Sequence, residues 1–381
     1  MSDNAASGWA NLARPASAAP GVEVFHGAAE LPADMRDFMD AQNPHSLQSS
    51  SGWFLNLERT VFTDGKHIRY FTLREEGRPA AVLPVLLKPG ALHTRAVALG
   101  NYYTCLYQPI LRAGLGAPAL ASLFRAVRRQ ARSLSSLTLA PMDPDAPGFA
   151  LIDQALALAG FARTRYFCFG NWYLQAPATW SAYLAGREGK VRSTIKRMAQ
   201  RIAAEEGSVE IITQASDVER GLAAYNAVYA KSWKVPEPYP AFVPGLMDLC
   251  TRTNSLRLGL VWLKGEPIAA QLWIVTGQRA EIYKVAYDEA FKSCSPGTVL
   301  TARMMEQVLD QDHVTEVDYL IGDDPYKKTW MSHRRERWGL VAYNRRSIGG
   351  LALWALESGK ELLRPVRSKL KVWTKGFTGT P

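Results

Sequence analysis

The hydrophobic pattern between Leu256 and Trp330 predicts the elements around which the rest of the chain is organised. Two β-rich runs, Leu256–Leu263 and Ile268–Val275, flank Lys264-Gly265-Glu266-Pro267, and a third, Ala280–Tyr287, follows Gly277-Gln278. Turn residues between such runs mark hairpins. A period of two puts Tyr283, Val285 and Tyr287 on one face of the third strand and Ile282, Lys284, Ala286 and Asp288 on the other. A face mixing two charges with small apolar groups is not built for a core alone. Ser295-Pro296-Gly297-Thr298 then feeds a helix from about Val299 to Leu309, apolar at Val299, Leu300, Met304, Val308 and Leu309. A glycine loop at a helix start offers free N–H groups and the positive end of the helix dipole, a seat for phosphate. Pro296 and Thr298 also serve as ordinary helix-start residues. A strand at Val317-Asp318-Tyr319 leads into the charged turn Gly322–Lys328.

Earlier in the chain the pattern predicts a short strand and a helix at Pro32–Ala41, and a helix from Gly52 to about Val61. Strands follow at Ile68–Arg74, Ala80–Leu87 and Arg95–Leu99. Next come a helix at Ala117–Leu134 carrying Arg125, Arg128, Arg129 and Arg132, a strand at Leu137–Leu139, a helix at Phe149–Ala159 and a strand at Thr164–Leu174. Gly77-Arg78-Pro79-Ala80-Ala81 repeats the pattern of Gly265-Glu266-Pro267-Ile268-Ala269, which suggests two related halves. Tyr102, Tyr103 and Tyr107 beside Asn101 read either as a packed strand end or as a cleft wall.

Thr179–Glu206 reads as one basic helical region with Ile195, Met198 and Ile202 at packing spacing. Arg192 and Lys196, and Arg197 and Arg201, are four apart and exposed, either as a solvated face or as a grip on phosphates. A strand at Val209–Thr213 and a helix from Asp217 to about Ala230 lead to the proline-rich loop Lys231–Pro240, which holds Trp233, Lys234, Glu237 and Tyr239. Loops of this mix often line sites on a rigid scaffold. Glu336–Tyr343 reads as a closing strand.

Length and charge narrow the picture. The 381 residues exceed one usual core. A net charge of +10 favours polyanions without choosing among nucleic acid, anionic lipid and nucleotide-bearing donors. The four cysteines form no CxxC and the histidines show no metal spacing, so neither a disulfide framework nor a metal site is expected, and a reducing cytoplasm is. Met1–Pro20 is Ala-, Ser- and Pro-rich without the run of a signal peptide. The segment from Ser347 joins an apolar helix to Arg364, Arg367, Lys369, Lys371 and Lys375, for packing on its own domain or for an anionic membrane surface.

The order hairpin, charged-face strand, Pro-Gly loop, helix and strand resembles the core of the GNAT acyltransferase superfamily. Gly265–Ala270, Tyr287-Asp288, Ser295-Pro296-Gly297, Val317-Asp318-Tyr319, Gly322, Tyr326 and Lys327 resemble its CelD-like branch, related to Fem-type aminoacyl transferases. The resemblance implies an α+β chain of two tandem GNAT-like domains, each a mixed, mostly antiparallel sheet flanked by helices. A disordered tail to residue 21, domains at 22–178 and 179–345, and a basic tail at 346–381 follow from it. It implies transfer of an acyl group from acyl-CoA to an amine on a small molecule, amino sugar or peptide, without a metal. In that frame Val285, Tyr287, Ser295, Pro296, Gly297 and Thr298 meet the donor. Trp233, Lys234, Tyr283, Lys284, Tyr326, Lys327, Tyr102 and Tyr103 meet the acceptor.

Direct transfer needs a base and an oxyanion partner but no nucleophile, in keeping with the absence of a recognisable Ser-His-Asp or Cys-His pattern. The base is expected among Asp318, Asp288 and Glu237; Asp318, between Val317 and Tyr319, either has a raised pKa from partial burial, which suits a base, or serves as a structural hydrogen-bond acceptor. Two other readings remain: aminoacyl transfer from tRNA, which the basic helix favours, and a GNAT fold that binds without catalysing. No role on DNA is expected.

Overall fold

The computed structural model describes residues 21–130 and 133–359. The Met1–Pro20 segment, Arg132 and the basic run Arg364–Lys375 lie outside them. The fold is α+β. The first half comprises β1 (Val22–Phe25), α1 (Ala33–Gln42), α2 (Ser51–Thr60), β2 (Ile68–Glu75), β3 (Arg78–Pro89), β4 (Thr94–Ala98), β5 (Ile110–Leu111), α3 (Ala117–Gln130), β6 (Leu134–Met142), α4 (Pro147–Leu158) and β7 (Ala162–Gln175). The second comprises α5 (Trp180–Ala185), α6 (Gly189–Ala204), β8 (Gly207–Ile212), α7 (Val218–Ala230), α8 (Phe242–Arg252), β9 (Leu256–Leu263), β10 (Glu266–Thr276), β11 (Arg279–Tyr287), α9 (Pro296–Asp310), β12 (Glu316–Asp318), α10 (Pro325–Trp330) and β13 (His333–Tyr343). Residues 348–359 are helical, and Arg345 lies over the Trp354 ring.

The repeated glycine motif is a repeated turn. Glu76 and Gly77, and Lys264 and Gly265, all have positive φ, the signature of the type I′ hairpins joining β2 to β3 and β9 to β10. All strands belong to one sheet in the order β1-β2-β3-β4-β6-β13-β7-β12-β11-β10-β9-β8, with β5 on β3. Pairing is antiparallel except for β4 with β6 and β11 with β12, which hold equivalent places in the two halves. The halves exchange their last strands: β13 lies beside β6, and β7 lies beside β12. β7 and β13 then pair along eleven register positions, His333↔Tyr173 to Tyr343↔Ala162, which makes the exchange continuous hydrogen-bonded sheet.

One core cluster crosses the halves, packing α1 and α2 against α7, α8 and the facing side of β9–β11. Trp53 of α2 meets Phe242 of α8 edge-on at 5.5 Å, and Tyr103 stacks on Phe242 at 3.8 Å. Rings of this size bring large buried apolar area, and edge-on pairs add to it. A Cβ at Gly245 of α8 would stand 2.1 Å from Asn56 Oδ1, so the two helices approach as closely as they do only over a glycine. Two further clusters sit under α3 and α4, and under α6 and α9.

Several expectations change. Leu134 begins β6 and does not end α3, and the basic region divides into α5 and α6 around Gly186–Glu188. Helices α8 and α10 were not anticipated. Strict alternation on β11 fails because Leu272 pairs Lys284 while Trp273 pairs Ile282, so Tyr283 is an extra residue. Such a bulge shifts the phase of the strand. Tyr283 therefore joins Ala286 on the side facing Trp53, while Ile282, Val285 and Tyr287 pack toward α9.

Candidate functional site

The bulged strand borders a wedge. β11 and β12 pair only through Arg279–Glu281 with Glu316–Asp318, and beyond Glu281 β11 continues to Tyr287 with β10 on one side and no strand on the other. A cavity of about 570 Å³ follows that open edge between the Ser295–Thr298 loop and Trp233, with Gln271, Tyr287, Lys292, Thr301 and Trp330 in its wall. A second, of about 240 Å³, is walled by Tyr102, Tyr103, Cys105, Tyr283, Lys284 and Lys327. Lys234, Val285, Tyr319, Asp324 and Tyr326 line both, so the two meet beside the bulge. Every expected donor-site residue lies in the first, and every expected acceptor-site residue except Trp233 lies in the second; Trp233 sits on the first, tilted against Tyr287 at 4.6 Å.

The loop before α9 is built from both strands and helix. Ser295 adopts the left-handed conformation (φ 46°) and Pro296 opens the helix, where its missing N–H costs nothing. Thr298 and Val299 N–H both donate to the Ser295 carbonyl. Gln271 of β10 reaches across: its Nε2 donates to Thr301 Oγ1 (2.8 Å) and the Gly297 carbonyl (3.2 Å), and its Oε1 accepts from the Trp273 indole. A lone buried amide in an otherwise apolar strand was the signal for this residue in the sequence.

Glu237 gathers groups from the wall of the smaller cavity. It accepts from the hydroxyls of Tyr102 (2.8 Å), Tyr103 (2.6 Å) and Tyr229 (2.8 Å) and from Lys284 Nζ (2.6 Å). Burial would raise its pKa, but Lys284 and the tyrosine hydroxyls outweigh burial and lower it to about 2. The carboxylate is thus an anchor that ties the loop Asn101–Tyr107 of the first half to β11. The ambiguity over the tyrosines resolves: Tyr103 is both packed and part of the wall, whereas Tyr102 is half exposed.

The other two base candidates, Asp318 and Asp288, line neither cavity. Asp318 is fully buried at the root of the wedge, held by Arg279 of β11, Arg335 and Arg337 of β13, Asn171 of β7 and the Leu320 N–H. Burial alone would raise its pKa; the three guanidiniums overcome this and hold it well below the usual carboxylate range. Asp288 is buried and caps the turn Glu289–Cys294 through Ala290 N–H, with Lys231 at 3.8 Å. Lys327, also buried, donates to the Ile321 carbonyl and lies over the Tyr319 ring at 5.2 Å; burial lowers its pKa. Asp324, at the junction of the cavities and 3.5 Å from Lys327, carries no local mark in the sequence that separates it from the other charges of its turn. Among the described residues no group of His, Cys, Asp or Glu is arranged to hold a metal ion, and the four cysteines are unpaired.

Residues 189–328 match the family described as acetyltransferase (GNAT) domain. No curated protein shows significant sequence similarity to the chain. Among solved structures, FemX superposes with a TM-score of 0.59 at 13% identity, covering 88% of this chain and 99% of FemX. L-PGS from Bacillus licheniformis gives 0.51 at 12% identity, over 83% of this chain and 92% of that one. A conserved protein of unknown function from Bacteroides thetaiotaomicron gives 0.54 at 9% identity, over 82% and 97%. These likenesses concern the fold. With the parallel β11–β12 pair and the open wedge between them, residues 189–328 match a GNAT-type acetyltransferase domain, within a fold that the chain shares with FemX.

Proposed function

We propose that the protein is an N-acyltransferase that moves an acyl group from acyl-CoA directly to an amine. The observation that carries this reading is the pair of joined cavities at the point where β11 leaves β12. The larger holds the donor, with its thioester arm along the free edge of β11; the smaller holds the acceptor amine. The amine nitrogen attacks the thioester carbon, the C–S bond breaks, and the displaced sulfur takes a proton. Backbone N–H groups of Val285–Tyr287 on the unpaired edge stabilise the developing oxyanion. Asp324, lining both cavities, receives the amine proton through water, and Lys284 and Lys234 hold an anionic group of the acceptor. The unpaired thiols fit a reducing compartment such as the cytoplasm.

The test is the shift in melting temperature with acetyl-CoA, longer acyl-CoAs and free CoA, since a ligand of the native state stabilises it by mass action. A shift with CoA thioesters supports the reading, and growth with acyl length points to a lipid-type acyl group. A flat response sinks it. One observation favours a second reading, aminoacyl transfer from tRNA: the exposed cationic side of α6 lies against the turn Glu289–Cys294 that leads into the donor loop.

A further inference from the structure

The donor loop is poor in donors. Pro296 has no N–H, and those of Thr298 and Val299 are turned back on Ser295, which leaves Gly297 N–H as the one backbone donor of the α9 start without a partner among the described residues. One N–H does not satisfy a diphosphate, whose oxygens call for several donors. The turn leading into the loop supplies something else. Lys292, exposed, is in the wall of the larger cavity, and its ammonium has no hydrogen-bond or ion-pair partner among the described residues. Beside it, Arg201 of α6 donates to the Ser293 carbonyl at 3.4 Å while its Nε faces Glu205 at 3.2 Å.

Arg201 is the end of a stripe. At 100° per residue, Lys190, Arg197 and Arg201 fall within about 40° of one another on α6. All three are exposed, while Ile195, Met198 and Ile202 turn the other way into the core. The stripe runs over twelve residues, about 16 Å along the axis. Arg192 and Lys196 point to the opposite exposed side and do not contribute.

We infer that Lys292 with Arg201, Arg197 and Lys190 forms a side-chain cation site for the phosphate groups of the donor, replacing the backbone cradle that the loop lacks. This rests on the acyl-donor reading of the larger cavity. Lys292 and Arg201 meet the phosphates nearest the cavity, and Arg197 and Lys190 extend the site outward. Glu205 neutralises part of the Arg201 charge, so Lys292 carries the largest share. The ligand chemistry is a phosphate ester beside a thioester or ester, from a nucleotide thioester or from the 3′ end of an RNA. The sources differ in reach: a nucleotide needs the inner pair of cations, whereas an RNA needs all four.

The test compares affinities of the full chain for acetyl-CoA, for S-acetyl-pantetheine (the same thioester arm without phosphates) and for a short acceptor-stem RNA, over a range of salt. Variants are Lys292→Ala with Arg201→Ala, and Lys190→Ala with Arg197→Ala; all four side chains are exposed, and unchanged melting temperatures confirm folding. For a nucleotide source, the inner pair of substitutions weakens acetyl-CoA roughly tenfold and reduces the salt slope by about one per lost phosphate contact, without effect on S-acetyl-pantetheine. For an RNA source, both pairs weaken RNA and lower its slope. Equal affinity and slope in wild type and variants overturns the cation site while leaving the donor reading intact. Binding of S-acetyl-pantetheine as tight as acetyl-CoA also overturns it. Failure of wild type to bind any of the three overturns the donor reading itself.

Discussion

Lys284 Nζ of β11 lies 2.6 Å from Glu237 Oε1 in the proline-rich loop, inside a ring of hydroxyls from Tyr102, Tyr103 and Tyr229. The ammonium also lies over the Tyr103 ring at 4.9 Å. Three separate segments of chain thus converge on one carboxylate, and Lys284 is held facing the smaller cavity.

That arrangement predicts an acid-sensitive latch. The Glu237 carboxyl is lowered from 4.5 to about 2, so its contribution to stability is present above the unfolded value and is lost as pH falls from about 4.5 toward 2. Melting temperature measured across that window should fall for wild type, with a smaller pH-dependent component in Glu237→Gln. Identical slopes would show that the carboxylate contributes nothing through ionisation.

Asp318→Asn should be severely destabilised, by about 3–5 kcal/mol, because it strips the counter-charge from buried guanidiniums. Urea denaturation measures it. A variant as stable as wild type but catalytically dead would restore Asp318 as a base.

Gly245→Ala should cost about 1–3 kcal/mol, since its Cβ would meet Asn56 Oδ1 at 2.1 Å between α2 and α8. Adding Asn56→Ala should recover part of the loss in a double-mutant cycle. Additivity of the two changes would mean the helices do not meet as described.

Gln271→Leu should cost about 1–3 kcal/mol by leaving the Trp273 indole N–H buried without an acceptor. It should also loosen the first turn of α9. Hydrogen exchange at Val299–Thr301 should quicken; unchanged protection there would separate Gln271 from the loop.

Much of the second half was legible because its signals are local. The Lys264-Gly265 turn, the β-rich runs and Pro296 act through the backbone preferences of a few adjacent residues, and β9 was placed to the residue. The Ser295–Thr298 loop and the tyrosines stand out for the same reason: their residue types are unusual at their positions. Tyr283 was assigned to the wrong face because a bulge is a property of two paired strands and leaves no mark in one. Asp318 stays open between base and structural acceptor in the sequence because Val317 and Tyr319 announce burial but not what is buried with it.

The sequence by itself determined most of the strands, the doubled hairpin turn, the Ser295–Thr298 loop before α9 and the basic character of the segment that forms α6. The tertiary structure decided which strand lies beside which, and with that the character of each carboxylate. Only the exchange of β7 and β13 brings Asn171, Arg335 and Arg337 to Asp318, and only the packing of α2 on α8 places Tyr103 over Phe242 and its hydroxyl on Glu237. Local propensity is set by neighbours in the chain. Charge state and cavity shape are set by groups far apart in the chain, 164 positions for Arg335 and Asn171, whose meeting depends on the whole sheet.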